Sequence, residues 1–438
     1  MNLPFNHMSK PRSDSFTEFT WQLRFCVKCL GMAIASSPLT STRFSVGIGP
    51  TDIFLVLSLV ATLVMLRLSP AVSNESRIYR LGNIPLYRFW IFTLPLLIVS
   101  TLLNAAFSGS SFAPYLTQLI PYFPAALLVF SMHAIASRPH LLDLIVKNFM
   151  FASFAIGIIY LLLILTHQSA YYLDDVRFQG FSDNANQVAD EAFSTILVCL
   201  IYPILFPNLN SKMRYFVYST AALAVIYGAA CDAATFFIAL IFVGGLYGAY
   251  LFLLNIRTRP TITALAFIAV IAVALFNQAA IVDFTMAFMD SARIHKERGD
   301  EDLIRYILWD NGIIAGLASP IIGNGAGAWS GLQGAFGATE AHNSFIDWFS
   351  IVGLVGLAIW LFEIGAIIIR FRWNNPAPHI FFVALLIFST FHFVFRHPFF
   401  WFAACLCAMA TRMPLYFKKK VSTQRPLFVM KHRICSDL

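Results

Sequence analysis

Long apolar runs separated by short polar stretches dominate the chain. They recur at about 22–38, 51–67, 89–106, 115–134, 144–166, 191–207, 215–231, 234–254, 261–281, 346–369, 379–395 and 398–412. Most approach the ~20 residues that a helix needs to cross a bilayer. A transmembrane barrel would instead show alternating segments of about 10 residues, so the pattern predicts an all-α, polytopic transmembrane helical bundle of about 12 spans. Arg24 and Lys28 interrupt the first run and must snorkel or face protein.

Two stretches between runs are long, residues 166–190 and about 283–344. Loops of that length are uncommon without a function. The second carries a helical pattern: Gly299-Asp300-Glu301-Asp302 supplies a cap and an acidic first turn, and Leu303, Ile304, Ile307 and Leu308 share one face, with Arg305 off it. After Pro320 comes Gly323-Asn324-Gly325-Ala326-Gly327, a turn suited to bringing backbone N–H groups together. Ala341-His342-Asn343-Ser344 then leads into the next apolar run. The Ser344-x-x-Asp347 spacing fits a helix cap, which puts His342 at the positive end of a helix dipole on a membrane surface.

Composition agrees with the pattern. Of 438 residues 58% are hydrophobic and only 12% charged, with 44 Phe, far from the make-up of a soluble domain. A net charge of +8 could suggest nucleic acid, but its distribution reads as membrane topology. Of the 30 Lys and Arg, 21 fall in one set of alternate loops and 7 in the other, with Arg24 and Lys28 unassigned. The positive-inside rule places the larger set and both termini in the cytoplasm, so His342 faces outward. The chain then divides into an N-terminal tail at 1–21, a membrane domain at 22–412 that includes the outward loop 283–344, and a basic tail at 413–438. Seven cysteines, an odd number and mostly within apolar runs, indicate no disulfide framework. Residues 1–20 are polar and show no cleavable signal pattern.

The first outward loop holds Arg177-Phe178-Gln179-Gly180-Phe181-Ser182-Asp183-Asn184-Ala185-Asn186-Gln187, an arginine followed by turn-formers and amides. An outward arginine runs against the charge bias and offers a planar fork suited to phosphate. Taken singly, Arg177 fits an ion pair with Asp174 or Asp175, Arg305 a helix pair with Asp302 or Glu301, and His342 a packing role. Two outward arginines, one outward histidine at a helix start and a glycine-rich turn between them change that balance. There is no H-E-x-x-H and no paired outward C-x-x-C. The Gly323–Gly327 run also lacks the Lys-Ser/Thr of a nucleotide P-loop, so a reaction needing metal, cofactor or nucleotide is disfavoured.

These residues resemble the bacterial O-antigen ligase and O-antigen polymerase superfamily of integral membrane glycosyltransferases. The likeness rests on Arg177-x-x-Gly180 followed by Asn184-x-Asn186, Arg305 ahead of Pro320-x-x-Gly323-x-Gly325-x-Gly327, and His342-Asn343 followed by Gly353-x-x-Gly356. It spans roughly residues 170–370. The resemblance implies glycan transfer from an undecaprenyl-diphosphate carrier at the periplasmic face of the inner membrane, without metal or nucleotide. Arg177 and Arg305 would bind the diphosphate and His342 would act near the acceptor hydroxyl. Asn343, Gly180, Asn186, Gly323 and Gly325 would support them. Members often carry a Ser-Arg pair where this chain has Cys231-Asp232, so no role of that arginine carries over. The acceptor expected first is lipid A–core. A polymerase joining carrier-linked repeat units is the near alternative. A transporter or flippase is the distant one, expected to show repeated halves, broken midplane helices or intramembrane ion pairs.

Overall fold

A computed structural model describes residues 13–39, 49–68, 85–107, 113–136, 138–173, 177–182, 184–258, 300–327, 340–371 and 375–411. Helices predominate: α1 (Ser13–Ser36), α2 (Pro50–Leu68), α3 (Pro85–Phe107), α4 (Ala113–Leu119), α5 (Tyr122–Ile135), α6 (Pro139–Thr166), α7 (Ala185–Leu205), α8 (Ser211–Ala230), α9 (Ala234–Thr258), α10 (Asp300–Ala318), α11 (Ser344–Ile368), α12 (Ala377–Ser389) and α13 (Pro398–Ala410). Between α6 and α7 lies a small antiparallel pair, β1 (Tyr172–Leu173) and β2 (Arg177–Phe178), with Tyr172 opposite Phe178 and Leu173 opposite Arg177.

Among the described residues, seven helical stretches are long and apolar enough to cross a membrane: Pro50–Leu68, Leu86–Phe107, Tyr115–Ile135, Pro139–Thr166, Ala185–Leu205, Ala234–Leu253 and Ser344–Ile368. They give the chain the make-up of a membrane protein. The expected run at 261–281, the tail at 413–438, and residues 283–299 and 328–339 of the long loop lie outside the described residues. Within that loop the expected helix is present as α10. Where the hydropathy pattern starts the first span at 22, α1 already begins at Ser13, inside the stretch read as a tail.

The helices at the last two expected spans are shorter than the apolar runs that predict them. α12 and α13 have 13 residues each, about 20 Å of helix against a hydrocarbon core of about 30 Å. The interval Thr390–His397 reads as apolar because Phe391, Phe393, Val394 and Phe395 fill it, yet it folds as a loop. Pro398 then opens α13, where a missing N–H costs nothing. Every residue of α13 is buried, as expected of a helix enclosed by protein. An aromatic cluster holds this region. Trp348 lies 4.5 Å from Phe395, Trp90 5.1 Å from Trp401, and Phe89 5.1 Å from Trp360, ring centre to ring centre. The Trp401 indole donates to the Phe395 carbonyl at 2.8 Å, so the α12–α13 loop is tied to the core.

The helix that positions most of the candidate residues is broken. Within α11, Gly353 takes φ +66 and ψ −168, which a helix cannot accommodate, and the backbone groups on either side lose their helical partners. In an apolar surrounding each such group would cost several kcal/mol if left unpaired. The turn after Pro320 fills the gap. Asn324 and Gly325 donate to the carbonyls of Ser350 and Ile351 at 2.9 and 2.8 Å. Leu354 and Val355 donate to the carbonyls of Pro320 and Ile321 at 2.8 and 3.2 Å. Such close contact excludes side chains: a Cβ on Gly323 would stand 2.3 Å from the Ile351 backbone, and one on Gly353 2.4 Å from that of Ile321. On its other side the turn meets α3, where Thr101 Oγ1 accepts from Ala326 N at 2.9 Å and Asn104 donates to the Asn324 carbonyl at 2.5 Å.

Gly353→Ala is expected to destabilise the purified protein by more than about 2 kcal/mol, because a left-handed φ and a backbone clash coincide. Gly365→Ala, whose Cβ would enter open space, should leave thermal unfolding unchanged or slightly raised. Equal unfolding temperatures for Gly353→Ala and the parent would contradict the account of the break.

Candidate functional site

α11 starts one residue earlier than the Ser344 cap expected from spacing. Asn343 is the cap: its Oδ1 accepts from the backbone N–H of Phe345 and Ile346 at 3.0 and 3.3 Å. Asp347, fully buried, reaches back and accepts from Ala341 N at 2.8 Å and Asn343 N at 3.2 Å. These two bonds bracket His342 and hold it at φ +53, a left-handed conformation unusual for histidine. Ser344 is left free for another task. Its hydroxyl donates to the His392 carbonyl at 2.6 Å and accepts from Val394 N at 3.1 Å, fastening the α12–α13 loop to the start of α11.

Arg305 reaches the same end through α10. Gly312 and Gly316, one turn apart, let α10 lie directly on the first turns of α11. A Cβ on Gly312 would stand 2.7 Å from Ile346, and one on Gly316 2.3 Å from the Phe349 ring. Arg305 lies two turns before Gly312 on an exposed face, with no acid paired to it among the described side chains. The side chains of Glu301 and Asp302 lie outside the described ones. Arg305 nevertheless acts on His342. Burial first, and then the Arg305 guanidinium, lowers the histidine's pKa and favours neutral imidazole.

Arg177 is fixed by two bonds, from NH2 to Asn186 Oδ1 at 2.9 Å and from Nε to the Cys231 carbonyl at 3.3 Å. Asn186 sits in the first turn of α7, capped by Asn184, whose Oδ1 accepts from Asn186 N at 2.9 Å. The arginine therefore spans from β2 to α7 and the α8–α9 junction, where Cys231-Asp232 stands. Asp174 and Asp175, the partners weighed for it, lie outside the described residues. Gly180, at φ +54, turns the chain between β2 and α7 and packs against the Tyr160 ring, which a Cβ would approach to 2.7 Å.

One residue that sequence reasoning missed is coupled to these segments. His392, in the α12–α13 loop, is buried, and its Nε2 has no hydrogen-bond partner. Its pKa is lowered to about 3, first by burial and then by the positive charges of His342, Arg305, His397 and Arg177. One buried imidazole thus lies within electrostatic reach of both arginines and both other histidines. The rest of the loop is tied down: Arg396 pairs with Glu340, and His397 Nδ1 lies 2.8 Å from Asp190 Oδ2 on α7. The sequence signal available was His392, Arg396 and His397 together between two apolar runs. It is easily lost among the phenylalanines.

The glycine turn plays a different part from the one its sequence suggests. It does gather backbone N–H groups, but those of residues 323–326 donate to Ser319, Ser350, Ile351 and Thr101. Gly323 and Gly325 are needed for close approach to α11 and α3, and their N–H groups are not available to an anion. Among the described residues no group of three or more His, Cys, Asp or Glu converges as a metal site would require.

Removing the Arg305 charge should let His342 protonate at a higher pH. Arg305→Gln is expected to raise the midpoint of the His342 imidazole NMR signal, and an unmoved midpoint would contradict the coupling. His342 and His392 resist protonation more in the folded than in the unfolded chain, so their contribution to stability is complete above about pH 6.5 and lost as pH falls. Between pH 7 and pH 4 the parent should therefore lose thermal stability more steeply than His392→Gln.

No protein-family model matches the chain, and no curated protein matches it.

Proposed function

We propose that this protein transfers a polysaccharide of the O-antigen kind from an undecaprenyl-diphosphate carrier to lipid A–core at the periplasmic face of the inner membrane. The observation that supports this reading is that buried His392 is electrostatically coupled to Arg177, Arg305 and His342 alike. Two guanidinium groups on a bundle of apolar helices would suit a lipid-linked diphosphate, whose tail stays in the membrane while its charge is held by planar forks. A glycosyl diphosphate already carries a good leaving group. Arginines stabilise the charge that develops as the bond from the anomeric carbon breaks. A neutral imidazole at His342 suits work at the acceptor hydroxyl, as base or as positioning group.

The same donor chemistry serves a polymerase that joins carrier-linked repeat units, and the donor residues are those of the first reading. A transporter gains some support from the broken α11 and from the Arg88–Glu363 ion pair at 3.1 Å. It loses support because the broken helix has its freed backbone groups taken up by the turn after Pro320, leaving none of those four to coordinate a passing ion.

In lipid vesicles with a carrier-linked glycan, Arg177→Ala, Arg305→Ala and His342→Ala should each reduce transfer by at least about 100-fold without loss of folded protein. Full activity of His342→Ala would remove it from the mechanism. Product formed only with carrier-linked repeat units, and never with lipid A–core, would make the protein a polymerase. Activity lost in chelator would overturn the metal-free reading.

A further inference from the structure

Asn186 and Asp190 stand four residues apart on α7, so they are neighbours on one face of the helix. Asn186 holds Arg177 and Asp190 holds His397, so the two are anchored at positions one helical turn apart on α7. Asp190 is fully buried and shares one hydrogen with Nδ1 of His397; with Asp190 as the carboxylate, the imidazole is the donor. That bond holds the ring, and with Nδ1 as donor Nε2 is the nitrogen able to accept a proton. His397 caps α13 through its backbone alone, so its ring has no capping duty. About a fifth of its side-chain surface is open (19%). The groups around it are Asp190 from α7, Phe399 stacked at 5.2 Å, and His392, which also feels Arg177, Arg305 and His342.

We propose that His397, oriented by Asp190, is a second catalytic histidine and takes the acceptor's proton at Nε2. The inference rests on the glycosyl-transfer reading above. As the acceptor oxygen bonds to the anomeric carbon, its O–H bond breaks and the proton passes to Nε2. The bond from that carbon to the diphosphate oxygen breaks with its electron pair, and the leaving diphosphate keeps the charge beside Arg177 and Arg305. The imidazolium then releases its proton to water. A histidine backed by a buried carboxylate has the orientation and tautomer that proton abstraction needs. His342 has no such partner among the described residues and is left to hold the acceptor. Asp190 is a positioning residue.

The test uses the full-length protein in lipid vesicles, with kcat and donor KM measured separately. His397→Ala should lower kcat by about 10²–10⁴-fold with donor KM little changed, and added imidazole should restore at least about a tenth of the lost rate. His397→Gln, which retains a donor to Asp190, should fold like the parent and be equally inactive. Asp190→Asn should lower kcat less than His397→Ala does. A His397→Ala protein as active as the parent overturns the proposal. So does a loss that imidazole fails to restore, or one expressed mainly in donor KM. Parent protein inert with both lipid A–core and carrier-linked repeat units would overturn the transfer reading itself, a result distinct from those three.

Discussion

A helix cannot break inside an apolar surrounding unless something replaces the hydrogen bonds it gives up. At Gly353 that replacement is the turn after Pro320, whose backbone exchanges four bonds with α11. Much of the candidate site follows from this exchange. The turn pins the end of α10 to the middle of α11, while Gly312 and Gly316 press α10 onto the first turns of α11, so Arg305 and His342 come to the same end. Contacts of the turn with Thr101 and Asn104 lock both helices to α3. Ser344, released from capping, ties the loop bearing His392 and His397 to the same place.

Charge is distributed on this frame with a consistent logic. Buried acids serve as anchors for backbone or histidine: Asp347 fixes the two amides that flank His342, and Asp190 fixes the ring of His397. Among the described residues, neutral groups hold Arg177, namely Asn186 and the Cys231 carbonyl. An arginine held by neutral groups has no counter-charge beside it, whereas one paired with a carboxylate does. Arg396 and Arg88 show the contrast, being paired with Glu340 and Glu363.

What the sequence made legible was the part governed by local rules. Seven apolar stretches appear as helices long enough to cross a membrane, and the capped amphipathic pattern at Asp300 became α10. Arg177, Arg305 and His342 stood out because each broke the trend of its surroundings. The remainder depended on tertiary contacts that a linear pattern does not carry. Ser344-x-x-Asp347 and Asn343 are both plausible caps, and the choice was made by His392 and Val394, about fifty residues away. Gly323–Gly327 looks the same whether its amides face an anion or a broken helix. His392 and His397 were hidden because Phe391, Phe393 and Phe395 make a loop look like the end of a span. Only the packing of Trp348 and Trp401 against Phe395 shows otherwise.

The central claim is that segments far apart in the chain build one site for a lipid-linked diphosphate. A cryo-EM structure of the protein in lipid nanodiscs with a carrier-linked glycan bound tests it most directly. The account requires diphosphate density between Arg177 and Arg305, with the first sugar facing His342. Carrier density elsewhere on the bundle, or a diphosphate that touches neither arginine, would contradict it.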